Sequence, residues 1–195
     1  ARIEAPPSDP QRCLTTRSAG RAVMRLQLGQ QQRGPPVSSN VMNYRSGNVS
    51  DAAELAALVL SHRALLTIDP DGRGADQFIE SVSETAIRGY LESGRYRFTV
   101  AESNGRVLGF IAIRDASHLF HLFVSAEHHG QGIGRSLWQK GLTAASKGSR
   151  NSTFTVNSSP NAVPVYRRFG FVETGPLVQM HGVSFLPMRR SPSES

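Results

Sequence analysis

The chain has one cysteine, Cys13, in 195 residues, which excludes an intramolecular disulfide framework and agrees with a reducing, cytosolic setting. No apolar run approaches the ~20 residues needed to span a bilayer, so the sequence offers no membrane partner. Metal is disfavoured as well. His128 and His129 are adjacent, His118 and His121 share a strand-like run, and no cysteine or carboxylate cluster completes a ligand set. A Gly-Lys-Ser/Thr triplet is missing, which excludes a P-loop, and Leu137 stands where a dinucleotide fingerprint would need its third glycine.

Charge is scarce and unevenly placed. The net charge of +7 is concentrated in residues 1–41, where six arginines face only Glu4 and Asp9, leaving +3 for the remainder. This segment is rich in Gln, Pro, Ser and Arg and has no sustained hydrophobic period, so it reads as a disordered extension or as adventitious to a domain starting at Met42. Its prolines and weak amphipathicity argue against a targeting peptide. It also lacks the basic density and interleaved aromatics of a nucleic-acid surface. Residues 42–190 then form one domain, and 191–195 a flexible tail.

From Asn43 onward the pattern alternates between strand and helix signals. Asn43 to Ser46 suits a short strand. Ser50 is placed to cap a helix over about 51–66, with Leu55, Leu58, Val59 and His62 on one face. After the turn Asp69-Pro70-Asp71-Gly72, a second helical stretch covers about 75–93. Strands at 96–102 and 106–114 flank Asn104-Gly105, a strong hairpin signal. A strand at 118–125, a helix from Gly134, a strand at 153–157, a short helix at 163–169 and a closing hairpin turning at His181-Gly182 complete the chain. The sum is a mixed α/β fold.

The richest stretch is His118 to Gly134, HLFHLFVSAEHHGQGIG. An apolar strand enters a glycine-rich turn and then a helix. Unpaired amides in the first helical turn, the positive end of the macrodipole and the absence of side chains at glycine make such a junction an anion site. Later, Asn157 to Phe171 reads NSSPNAVPVYRRFGF, with Ala162, Tyr166, Gly170 and Phe171 in a fixed spacing.

Together these two segments resemble the pyrophosphate loop and the late strand–helix segment of GCN5-related N-acetyltransferases, a resemblance covering about 43–190. It implies a mostly antiparallel central sheet of six to seven strands flanked by about four helices, with a V-shaped splay between the strands near 118–125 and 153–157. It also implies acetyl-coenzyme A as co-substrate, a small or protein amine as acceptor, and direct transfer between them. By resemblance, His129, Gly130, Gln131, Gly132, Ile133, Gly134 and Arg135 hold the pyrophosphate, and Leu122, Phe123 and Val124 offer backbone groups to the pantetheine arm. His129 departs from the family's Gln/Arg at that position and lacks the permanent charge and fork of Arg.

Asn157, Ser159 and Asn161 compete for the remaining pantetheine contact, with Asn157 favoured. Tyr166 is the candidate proton donor to the departing thiolate. His118 and His121 are the candidate bases, on opposite faces of their strand unless a bulge intervenes. Glu102 and Glu127 read as solvated charges. A homodimer is left open. The alternative reading is a non-catalytic acyl-coenzyme A-binding module of the same fold, which need not retain Tyr166.

Overall fold

The computed structural model describes residues 41–145 and 153–192; the expectations for residues 1–40 and for the last three residues lie outside them. β1 (Asn43–Ser46) is followed by α1 (Ala52–Ser61), α2 (Arg63–Leu66), α3 (Asp76–Ser81) and α4 (Glu84–Glu92). Next come β2 (Tyr96–Ser103), β3 (Arg106–Arg114), β4 (His118–Val124), α5 (Ile133–Ala145), β5 (Phe154–Ser158) and α6 (Val163–Arg168). β6 (Val172–Glu173), β7 (Val178–Met180) and β8 (Val183–Arg190) close the chain. The sheet runs β1-β2-β3-β4-β5-β8-β6, with β7 on β8. β4 and β5 are the parallel pair, and the other pairings are antiparallel.

The mixed α/β architecture expected from the sequence is therefore present, with eight strands among the described residues instead of six or seven. The additional strand is β6, two residues that pair with β8 inside the stretch read as one hairpin. Both predicted turns form as expected. Asn104 and Gly105 have φ of 52° and 73°, and His181 and Gly182 have 47° and 71°, the left-handed pair that matches the twist of a two-residue hairpin.

The two long helices predicted before the first hairpin are each broken. The first ends at His62 (φ −99°, ψ 8°), where a ring nitrogen bonds the Leu58 carbonyl at 2.9 Å. The second breaks at Val82-Ser83, because Ser83 caps α4 by accepting from the Ala86 amide at 3.2 Å. Helix entry at residue 50 also differs from expectation. Asn48 accepts from the Ser50 amide while Asp51 accepts from the Asn48 amide, a reciprocal capping box. Asp51 is in turn gripped by both terminal nitrogens of Arg45 at 2.8 Å, and this pairing holds its carboxyl below the usual range.

Alternation along β2 and β3 divides the apolar residues between two layers. Ile111 and Ile113 join Leu119, Leu137, Trp138, Phe154, Tyr166, Phe171 and Met188 on the side of α5 and α6. Phe98, Val100 and Phe110 join Leu55, Val59, Val82 and Ile87 on the side of α1 and α4. Burial of these side chains at ~25 cal/mol per Å2 is the main force holding helices to both faces.

Two irregularities set up the functional region. β4 and β5 pair only at His118↔Thr155 and Leu119↔Val156, then part. On the other edge of β4, Ala112 opposes His121 while Ile113 opposes Leu119, so Phe120 is an extra residue, a β-bulge.

The β7–β8 turn is locked against the segment before α3. The Ile68 amide bonds the Gly182 carbonyl at 2.8 Å, and a Cβ at Gly182 would lie 2.3 Å from the Gly74 carbonyl oxygen. Gly182→Ala therefore combines a left-handed backbone cost with a backbone collision, and should lower stability by about 2–4 kcal/mol in urea denaturation.

Candidate active site

The parting of β4 and β5 opens a cleft of about 940 Å3 between the Phe120–Val124 half of β4, the turn into α5, the end of β5, and α6. Its other wall is the α1–α2 junction, through His62, Leu65 and Leu66. None of the described residues lining it is Asp or Glu, whereas Arg135, Arg168 and four histidines are among them. Such a cleft attracts anions.

The strand-to-helix turn has the backbone of an anion cradle. A short 3-10 turn, Ala126–His128, follows β4, and Gly130 and Gly132 then adopt φ of 77° and 80°, a region costly for other residues. The first bond of the α5 ladder runs from the Ser136 amide to the Gly132 carbonyl at 3.0 Å. The amides of Ile133, Gly134 and Arg135 therefore lie ahead of the ladder, at the positive end of a 13-residue helix.

Of the residues singled out from sequence, Leu122, Phe123, Val124, His129, Gly130, Gly132, Ile133, Gly134, Arg135, Asn157, His121 and Tyr166 all line this one cleft. Gln131 does not; its amide is directed to the Glu127 carbonyl at 3.4 Å. His118 does not either. Its Nδ1 is 2.8 Å from the Thr155 hydroxyl, across the last parallel pair, so it is not brought to the cleft as a base.

His129 is present but already engaged. Its Nε2 donates to the Val124 carbonyl at 2.8 Å, tying the turn back to the end of β4. The side chain that replaces the Gln/Arg of the resembled motif thus braces the loop, and the backbone amides with Arg135 beside them are left facing the cleft. Of the three pantetheine candidates, Asn161 is used within the protein, donating to the Leu65 carbonyl at 3.1 Å and fastening α2 to the start of α6. All three line the cleft, and Asn157 and Ser159 have no such tie to Leu65.

Tyr166 is 6% exposed, with its ring edge-on to Phe169 and Phe171. Burial pushes its hydroxyl well above the usual phenol range, so it is held protonated at neutral pH. His121 shows the opposite effect of the same cause. It is 8% exposed, and burial lowers its imidazole to about 3, with the neighbouring His118 adding to the shift. A ring so weakly basic is a poor proton acceptor at pH 7.

Arg168, Phe169 and His62 are among the lining residues that the sequence does not mark. Arg168 is exposed on α6 and Phe169 follows it, but nothing in the spacing marks which side of a six-residue helix meets the cleft. His62 had been assigned to the packed face of a longer helix. The break there turns its ring to within 5.7 Å of Phe123 and 5.8 Å of His129.

Comparison with known proteins agrees with this geometry. The family model of the acetyltransferase (GNAT) domain matches residues 66–192. N-acetyltransferase family 8 member 3 of Rattus norvegicus is 35% identical over 99 residues, covering 45% of this chain and 43% of that protein. N-acetyltransferase 8 of Mus musculus is 33% identical over 99 residues, covering 45% and 44%. Each alignment thus spans less than half the length of its relative. Among solved structures, a GCN5-related N-acetyltransferase from Rhodopseudomonas palustris aligns with a TM-score of 0.64 at 21% identity, covering 81% of this chain and 99% of that one. PaiA N-acetyltransferase from Thermoplasma acidophilum, in complex with coenzyme A, aligns at 0.60 and 14% identity over 77% and 99%. With its splayed sheet, its glycine turn and a family match over residues 66–192, the chain belongs to the GNAT acetyltransferase family.

Proposed function

We propose that the domain transfers an acetyl group from acetyl-coenzyme A to an amine by direct attack. The observation that carries this reading is the convergence on one cleft, with no Asp or Glu among its described lining residues, of three features: the amides ahead of the α5 ladder, the open edges of β4 and β5, and the hydroxyl-bearing ring of Tyr166. The coenzyme A complex of PaiA N-acetyltransferase, a protein of like fold, supports the choice of cofactor. The donor set suits the group. Amides of Ile133, Gly134 and Arg135 fit a pyrophosphate, the open edge of β4 beyond Leu119 fits pantetheine amides, and Asn157 of β5 or Ser159 just after it lines the same cleft.

As substrate, acetyl-coenzyme A supplies an activated thioester. The chain's own groups then do three things. The glycine turn fixes the anionic end, the parted strand edges align the arm, and Tyr166 keeps a proton on its hydroxyl for the departing sulfur. As the new C–N bond forms and the C–S bond breaks, the sulfur takes that proton, and the proton released by the nitrogen returns through water to the Tyr166 oxygen. Water exclusion in the cleft strengthens each of these hydrogen bonds.

Two outcomes test this. Coenzyme A should raise the melting temperature of the wild-type protein by mass action, and Gly132→Glu should abolish that shift, since it puts a side chain and a negative charge where phosphate must sit. Calorimetry showing no binding at millimolar cofactor would refute the reading. Tyr166→Phe removes only the hydroxyl, so cofactor affinity should be retained while kcat falls ~102-fold, the general-acid scale, with KM changing less. Unchanged kcat with chemistry rate-limiting would reduce Tyr166 to packing, and binding without any turnover would favour the non-catalytic acyl-coenzyme A-binding module.

A further inference from the structure

The bulge at Phe120 places a specific demand on the residue after it. In an unbulged strand, His118 and His121 would point to opposite faces. With Phe120 inserted, Leu119 remains with the α5–α6 layer that holds Tyr166, whereas Phe120 and Phe123 pack with the α1–α4 layer. His121 goes with the latter pair. Its ring lies 4.2 Å from Phe120, 5.7 Å from Phe123 and 6.0 Å from Phe110. It is also among the first residues of β4 beyond the last pair with β5, and it lines the cleft. Bulges beside active sites commonly re-aim one side chain.

The re-aimed ring is unsatisfied. Nε2 of His121 is buried and has no hydrogen-bond partner, and burial keeps the ring neutral. With its single proton on Nδ1, such a ring presents a lone pair at Nε2. A buried acceptor without a donor is costly, and a leucine of similar bulk would avoid that cost. The place of His121 in the wall of the cleft is accounted for by a ligand that brings an N–H.

We propose that His121 orients the acceptor: its Nε2 receives a hydrogen bond from the N–H of the incoming amine, on the face of the sheet opposite Tyr166, without removing the amine's proton. This rests on the acetyltransfer reading and adds to it. The face is that of α1 and α4, and the wall beyond is formed by Leu65 and Leu66 of α2, so the fitting acceptor is an uncharged primary amine on an apolar body. No carboxylate among the described lining residues meets a polycation.

The test uses the full chain with acetyl-coenzyme A and benzylamine, following thiol release across pH, for wild type, His121→Leu and His121→Gln. Glutamine keeps an acceptor oxygen but cannot take up a proton in this range. The proposal expects His121→Leu to raise the melting temperature of the free protein by roughly 2–10 °C, through relief of the orphaned acceptor. It also expects that variant to raise KM for benzylamine three- to tenfold, the scale of one hydrogen bond, with KM for acetyl-coenzyme A unchanged. His121→Gln should stay within about threefold of wild type and keep the same pH profile. A 102-fold fall in kcat in both variants, with loss of a limb of the pH profile, would show a general base and overturn the proposal. A stabilised His121→Leu with wild-type kinetics would overturn it in favour of packing alone. Wild type that is stabilised by acetyl-coenzyme A but inactive on benzylamine would refute the acceptor assignment while leaving the cofactor reading intact. Absence of both effects would refute the cofactor reading itself.

Discussion

The structure depends on one interrupted interaction, the parallel pairing of β4 with β5. Two pairs form, His118 with Thr155 and Leu119 with Val156, and the strands then separate. Inside a sheet, unpaired backbone groups are expensive unless something satisfies them, so strands rarely part without a reason. Here the outer edges of both strands stay fully engaged, β4 with β3 through Val124 and β5 with β8 through Ser158. The gap is held open by these two flanking ladders, and a ligand that can donate and accept along an extended arm is the natural occupant.

The ends of the gap are chemically unlike. At one end the β4 strand runs into a turn whose glycines expose helix-start amides, with Arg135 adjacent and no described carboxylate in the lining. At the other, Tyr166 and His121 sit in opposite apolar layers, and burial drives both toward their neutral forms, the phenol upward and the imidazole to about 3. The cationic turn and the buried neutral groups thus lie apart along one cleft. His129 stands where the family usually has Gln or Arg, and its ring bonds the Val124 carbonyl, tying the turn to the end of β4.

Much of this was legible in sequence because it rests on local chemistry. Asn104-Gly105 and His181-Gly182 mark turns whose backbone few other pairs adopt, and Gly130 and Gly132 mark a loop that must reach positive φ. The resemblance carried by Ala162, Tyr166, Gly170 and Phe171 implied a functional place for Tyr166, which lines the cleft. What was not legible depends on pairing between distant segments. The bulge at Phe120 exists only in the register of β4 against β3, so the faces of His118 and His121 could not be assigned. The break at His62 depends on its ring competing for the Leu58 carbonyl, a choice that helical periodicity does not reveal. Asn161, one of three candidates for a pantetheine contact, donates to the Leu65 carbonyl and fastens α2, a partner 96 residues away that local spacing cannot show.

The claim on which the account turns is that the parted strands and the glycine turn form one coenzyme A site. Backbone amide shifts, recorded by heteronuclear NMR during titration with coenzyme A, test it most directly. The account predicts the largest changes at Gly132 to Arg135 and along Phe120 to Val124, with Asn157 and Ser158 following and β1 and β2 silent. Saturable changes confined to residues outside the cleft, with the Gly132–Arg135 amides unmoved, would contradict it.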